Sequence, residues 1–309
     1  MKRKIGHYEG KEKGVLLFVF GAIHGNELAG IKAMEFLLKM LEVEPITNPN
    51  FIFKGKIIGL KGNSRAIEQG KRFINSDLNR MWTKENVAHC FFSKNEDLDE
   101  ELLEIKEIIS IIQEEIEIYQ PEKIFFLDIH TTSAQGGIFS VPANDDDSLR
   151  IAERLHAPVV CGLLDGLEGT SLHYFNSENM KTPTSAVCFE AGQHDDLLAV
   201  NRAIAAIIYA MEALDCIKVA DINQQHLKIL NDYAENLPKI THFFYRHAIK
   251  EGDDFMMEKG FLNFQKIKKG TLLARDKNGE LIAAEDCHIL MPLYQKQGED
   301  GFFLVKELF

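Results

Sequence analysis

No apolar run in this chain approaches the roughly 20 residues needed to cross a bilayer as a helix, so no membrane-spanning segment is expected. Basic residues are outnumbered, 35 Lys and Arg against 47 Asp and Glu, and the formal charge is −12 at pH 7. That balance argues against general affinity for nucleic acid or an anionic membrane surface. An anionic small molecule stays open as a partner, provided a local cluster of Arg or Lys receives it. Cysteine is sparse and unpatterned: positions 90, 161, 188, 216 and 287, an odd set with no C-x-x-C. Such a set reads as reduced thiols in a cytosolic protein rather than a disulfide framework. The basic start, Met-Lys-Arg-Lys, leads into charge instead of an apolar stretch, so no secretory leader is read there and a cytoplasmic location is expected. Internal repeats and low-complexity tracts are also absent from the 309 residues, a length that suits one large domain or two.

What is present is concentrated in one stretch, residues 15–27, Val-Leu-Leu-Phe-Val-Phe-Gly-Ala-Ile-His-Gly-Asn-Glu. Residues 14–20 are continuously apolar, the mark of a strand buried on both faces of a parallel sheet. From Gly25 to about Leu41 the apolar residues fall mostly at helical spacing. Between strand and helix stand His24 and Glu27, three residues apart, a spacing that lets one turn of chain present both to a metal. A solvent-exposed pair at a helix start has the same spacing. A third ligand candidate is His130 in Asp128-Ile-His130, which likewise ends an apolar run, residues 124–127. Its distance from Glu27 suits a catalytic zinc site, where three protein ligands leave a position for water. Ligands at the ends of two strands also fit the binding crevice of an α/β sheet.

Residues 42–54, with Pro45 and Pro49, read as a connection, and 56–60 as a second strand. The segment 69–80 lacks periodicity yet carries Lys71, Arg72 and Arg80, so it is either an anion-binding loop or a solvated one. The clearest helix covers 95–120. After the strand leading to His130, residues 131–137 read as a loop and 147–156 as a helix. A strand follows at 158–163, then a loop-like stretch, 164–183, able to form part of a lid. Residues 185–189 form a strand that delivers Glu190, a position for a general base, before a helix at about 196–213. Beyond residue 218 the pattern changes to one helix near 222–235 and then short strands. Among these, Asn278-Gly279 signals a hairpin. The expectation is a larger domain over 1–218 and a β-rich domain over 219–309.

Four segments, in order, resemble the motifs of one family. Gly21-Ala-Ile-His-Gly-Asn-Glu-Leu-Ala-Gly30 is similar to the first zinc motif of the succinylglutamate desuccinylase/aspartoacylase family, a branch of the zinc carboxypeptidase superfamily. Asn75-Ser-Asp-Leu-Asn-Arg80 resembles its substrate-carboxylate motif, Leu127-Asp-Ile-His130 its third-ligand motif and Phe189-Glu190-Ala-Gly192 its catalytic-glutamate motif. The resemblance implies an α/β fold with a zinc-carboxypeptidase-like mixed sheet flanked by helices, the domain over 1–218 being catalytic and the one over 219–309 barrel-like. It implies one zinc ion per chain on His24, Glu27 and His130. Glu190 is then the general base and acid, Arg72 polarises the acyl carbonyl, and Asn79 and Arg80 hold a substrate carboxylate. The implied reaction is hydrolysis of a small anionic N-acyl amino acid. A carboxypeptidase of short peptides and a non-catalytic metal or metabolite binder on the same fold are the alternatives. Members often self-associate, so a homo-oligomer is a further expectation. Two features depart from aspartoacylase-type members. Met180, with Lys181 beside it, occupies the region of an additional substrate-binding Arg, and Tyr294 lies upstream of the place of a C-terminal substrate tyrosine. The acyl group and the amino acid therefore stay open. Asp128, two residues from His130 on one strand face, is a candidate to orient that ring. His194 either orients the catalytic group or is a plain loop residue, and His173, His288 and Lys296 read as structural or surface residues.

Overall fold

The computed structural model describes residues 2–221 and 223–308. Its strands are β1 (Lys4–Glu9), β2 (Glu12–Gly21), β3 (Lys54–Lys61), β4 (Ile124–Thr132), β5 (Phe139–Pro142), β6 (Val159–Cys161), β7 (Thr184–Gln193), β8 (Ile240–Ala248), β9 (Met256–Met257), β10 (Gln265–Ile267), β11 (Leu272–Asp276), β12 (Gly279–Ile282), β13 (Cys287–Leu290) and β14 (Asp300–Glu307). Eleven of them form one mixed sheet in the order β1-β3-β2-β4-β7-β5-β6-β8-β14-β13-β10. The centre, β3-β2-β4-β7, is parallel. The strands β12-β11-β9 make a second, small sheet. The chain is thus an α/β protein with a β-rich C-terminal part, as the sequence indicates, and β8 pairs with β6, so that part continues the main sheet.

Helices cover both faces of the centre, which is why β2 reads as unbroken hydrocarbon. Leu17 and Val19 pack under α1 (Ala29–Thr47) with the last long helix, Ala199–Ala213. Leu16, Phe18 and Phe20 face the opposite way, toward Ile105, Ile108 and Ile112 of the helix Glu100–Tyr119. That helix starts where Asp99 accepts a hydrogen bond from the Leu102 N–H, five residues later than the expected 95.

Three expectations need correction. First, α1 continues through Pro45 to Thr47 instead of ending near Leu41. Proline there falls in the last turn, where its missing N–H forfeits one bond, and the Asn48 N–H still donates to Glu44 O at 2.8 Å. Second, the segment 164–183 is a packed wall and not a free loop. It holds a 3-10 turn (Leu163–Gly166) and two short helices, Ser171–Tyr174 and Ser177–Met180, capped by Thr170 and Asn176. Phe175 anchors it, stacked 4.2 Å from Phe126 and 5.3 Å from Phe20. Third, the hairpin turn is Lys277-Asn278, closed by Asp276 opposite Gly279, with the Asn278 N–H donating to the Asp276 carboxylate at 2.7 Å.

One close approach fixes the site's entrance. A Cβ at Gly21, the end of β2, would lie 2.5 Å from the Ile31 nitrogen of α1, and one at Gly30 would lie 2.9 Å from the Gly21 Cα. Strand end and helix start therefore touch backbone to backbone, and the turn carrying His24 and Glu27 is held between them. Gly21→Ala is expected to destabilise the protein by roughly 1–3 kcal/mol through overpacking, read as a lower denaturant midpoint at unchanged slope.

Candidate metal centre

β2 ends at Gly21, and Ala22 then turns the chain in the left-handed region, φ 60°. The next residues close a tight turn in which the Glu27 N–H donates to His24 O at 2.9 Å. His24 and Glu27 are 4% and 2% exposed. β4, hydrogen-bonded beside β2, brings up His130, also 4% exposed. His24 Nδ1 lies 2.9 Å from Glu27 Oε1, His130 Nδ1 lies 3.1 Å from Glu27 Oε2, and the two Nδ1 atoms are 3.2 Å apart. One ligand atom from each of the three residues falls within 4.8 Å of the others. Two imidazole nitrogens and a carboxylate oxygen converging at such range form a donor set suited to a divalent cation such as zinc.

The outer faces of both rings are backed by buried carboxylates. Asp77 Oδ1 lies 3.1 Å from His24 Nε2, and Asp128 Oδ2 lies 3.0 Å from His130 Nε2. The Ser171 hydroxyl donates to Asp128 Oδ2 at 2.6 Å. Carboxylates in these positions fix the tautomer and orientation of metal-binding rings. Asp128 is where the period-two reading puts it. Asp77 escaped the sequence reading, although it lies inside the 75–80 motif, because nothing local links it to His24. Ser171 gave no signal at all.

Arg72 closes the cluster. It donates to Glu27 Oε1 from Nη1 and to Asp77 Oδ2 from Nη2, both at 3.1 Å. Its N–H takes Gln297 Oε1 at 3.1 Å and its carbonyl accepts from the Gly25 N–H at 2.9 Å. Arg72 thus binds the cationic loop to the turn carrying His24 and Glu27, while Lys71 stays exposed. Burial opposes ionisation of Glu27, but His24 and His130 outweigh it and hold the carboxyl well below its usual range. Asp77 is likewise held well below, against burial, by His24 and Arg72. For His130 burial pulls downward, yet Asp128 and Glu27 carry the ring well above its usual value.

Glu190 stands on β7 directly opposite His130 of β4. Burial, added to by Glu27 and opposed by His130, raises its carboxyl to about 8. Its Oε2 is buried without a hydrogen-bond partner among the described residues. His194 does not reach Glu190 through any hydrogen bond described. Its Nδ1 lies 2.7 Å from Thr131 Oγ1 and its Nε2 3.3 Å from Gln295 Oε1. Asn79 and Arg80 sit on a short 3-10 turn, Leu78–Arg80, capped by Asp77. Glu190, Arg72, Asn79 and Arg80 join the three ligand candidates around one cavity of ≈ 110 Å³. Tyr294 points elsewhere, its hydroxyl accepting from the Phe261 N–H and donating to Glu258 O. His173 completes the cap of its helix with Thr170 and His288 is buried in β13, so both are structural.

The profile of the Succinylglutamate desuccinylase/Aspartoacylase catalytic domain matches residues 13–213. The chain belongs to this family. A probable aspartoacylase of Nostoc sp. is 31% identical over 133 residues, which cover 42% of this chain and 40% of that protein. The succinylglutamate desuccinylase of Pseudomonas aeruginosa is 30% identical over 105 residues, 28% of this chain and 29% of that one. The matched stretches thus span well under half the length of these curated relatives. Similar folds extend further: the Vibrio cholerae succinylglutamate desuccinylase covers 96% of this chain and 82% of its own at TM-score 0.64 and 17% identity. A variant of murine aminoacylase 3 covers 96% of both at TM-score 0.61 and 15% identity.

Two outcomes are expected of the centre. Asp128→Asn leaves the ligands in place and lowers metal affinity about 10–100-fold, measured by competition with a chromophoric chelator. In metal-free protein, the raised values of His130 and Glu190 mean that the fold binds extra protons there. The stability they contribute is present at low pH and lost as pH rises: for Glu190 from about 4.5 toward 8, for His130 from its usual value, about 6.5, upward through its raised one. Zinc binding at pH 7 therefore releases about one proton or more per ion, measured by calorimetry in buffers of different ionisation enthalpy.

Proposed function

We propose that the protein is a zinc-dependent amidohydrolase that removes the acyl group from a small N-acyl amino acid, with one zinc per chain on His24, Glu27 and His130. The observation that carries this reading is Glu190, a buried carboxyl with an unpartnered oxygen, one strand across from His130 in the same cavity. A pure metal store has no use for such a group, whereas hydrolysis needs a proton carrier there.

When bound, zinc supplies a Lewis acid and brings the pKa of a coordinated water to about 7. Glu190 accepts a proton from the attacking water and returns it to the leaving nitrogen, a cycle favoured when its pKa lies near the working pH. Arg72, fixed by Glu27 and Asp77, offers its guanidinium as the donor facing the developing oxyanion. Asn79 and Arg80 hold a carboxylate of the substrate. Thr131 keeps Glu27 aimed at the two rings, its N–H donating to Glu27 Oε2 at 2.9 Å. The wall formed by 163–180 and the C-terminal residues around Gln295 enclose the cavity, which favours a small substrate over a peptide threaded through an open cleft.

The test is amine release by zinc-loaded protein from a panel of N-acetyl, N-succinyl and N-formyl amino acids. Glu190→Gln is expected to lower kcat about 10²–10⁴-fold with KM little changed and zinc still bound at one per chain. Turnover that survives in this variant, or in chelated wild type, would overturn the reading.

A further inference from the structure

We infer that the amino-acid half of the substrate carries a single carboxylate and an apolar side chain. This rests on the amidohydrolase reading above and narrows its substrate class. Two independent observations support it.

The first is the wall beside Glu190. The leaving nitrogen has to lie next to the group that returns its proton, so whatever that nitrogen bears meets the surroundings of Glu190. β5 runs antiparallel to β7, with Phe139 opposite Glu190 and Val141 opposite Cys188. Opposed residues of such a pair share a face, and all four line the cavity. Leu164 and Leu167 of the segment after β6, Leu172 of the following short helix and Phe303 of β14 continue the surface. Across the sheet the order is therefore metal ligands, proton carrier, hydrocarbon.

The second is how the cations are committed. Two arginines and no lysine line the cavity. Arg72 is paired with Glu27 and Asp77. Arg80 pairs through Nη2 with Asp300, and its Nη1 donates to Asn79 O at 2.6 Å. Asp300 accepts from Arg246 as well. What is left at this corner is Arg80 Nε, buried without a partner among the described residues. Asn79, which lines the same cavity, offers its side-chain NH₂, its oxygen already accepting from the Ser171 N–H at 2.8 Å. These donors suit one carboxylate. A second would meet no further cation, since beyond hydrocarbon and the acidic pair Glu299 and Asp300 the lining adds only neutral hydroxyls and Gln295, and a buried carboxylate without a counter-charge is costly. Met180 and Lys181 lie outside the cavity lining and supply no further cation.

The experiment compares kcat/KM of the zinc-loaded full chain on N-acetyl-L-leucine, N-acetyl-L-phenylalanine, N-acetyl-L-aspartate and N-succinyl-L-glutamate. Binding of the same four to Glu190→Gln protein is measured by calorimetry, independent of turnover. The apolar pair is expected to lead the dicarboxylates by roughly 100-fold and to bind more tightly. Asp300→Asn, which frees Arg80, is expected to narrow that gap about tenfold. Turnover in which a dicarboxylate equals or leads the apolar pair overturns the inference and leaves the reaction class standing. No turnover of any of the four overturns the reaction class, and the inference with it.

Discussion

Everything in this molecule is arranged around a buried knot of charge at the ends of β2 and β4. Glu27, Asp77 and Asp128 are each 1–2% exposed, and Arg72 is the cation hydrogen-bonded into the group. Left alone, buried carboxylates cost far more than a domain's stability can supply. Three carboxylates against one guanidinium leave two negative charges, which a divalent cation matches with both imidazoles neutral. Without the cation, a proton on His130 offsets one of those charges, and Glu190, raised first of all by burial, stays neutral beside the group instead of adding to it. The donor geometry and the charge count thus both suit a divalent cation, by different routes.

The knot needs a rigid mount, and the sheet supplies it. Parallel strands buried on both faces place their ends with little freedom, and the Gly21–Gly30 contact presses α1 onto β2 at the point where His24 leaves the strand. The C-terminal part then reaches across the mouth with amide side chains. Asn26 donates to Gln295 at 3.1 Å, the Arg72 N–H to Gln297 at 3.1 Å, and Asn263 to Thr132 Oγ1 at 3.0 Å. Each is a neutral bond worth about 1 kcal/mol, and beneath them Phe264, Leu290, Phe303 and Val305 join Phe139, Val160 and Leu163 in one apolar cluster, so modest polar contacts at the mouth rest on shared hydrocarbon.

What the sequence disclosed follows from how far each relation reaches along the chain. His24, Glu27 and His130 were legible because each follows an apolar run that ends abruptly, and a turn or strand fixes where the side chain goes. Asp128 was legible because alternation along a strand is a local rule. Glu190 was visible only as a strand-end carboxylate until the family motif gave it a role. Asp77 pairs with His24 across 53 residues and Asp300 with Arg80 across 220. Neither relation leaves a local pattern, since it exists only once the strands are ordered. The wall at 163–180 was hidden for a related reason. Its helices are single turns, too short for periodicity, and Phe175 is buried by a stack that only the fold creates.

Glu190 shows why the charge knot and the chemistry belong together. A group that first takes a proton and then gives it back works best when neither form is strongly favoured. Burial and the neighbouring Glu27 push its carboxyl up, the cationic His130 pulls it down, and the balance rests at about 8. A divalent ion held by His24, Glu27 and His130 would replace the pull of the imidazolium with its own larger charge and move the balance toward neutrality. Moving Glu190 to an exposed loop would return it to the ordinary carboxylate range and leave it a poor acid. Losing the ligand cluster would leave it a protonated, inert core residue. On the proposed amidohydrolase reading, burial on β7 together with the placement of His130 opposite Glu190 on the adjacent strand is therefore how the fold sets the reactivity of that carboxyl.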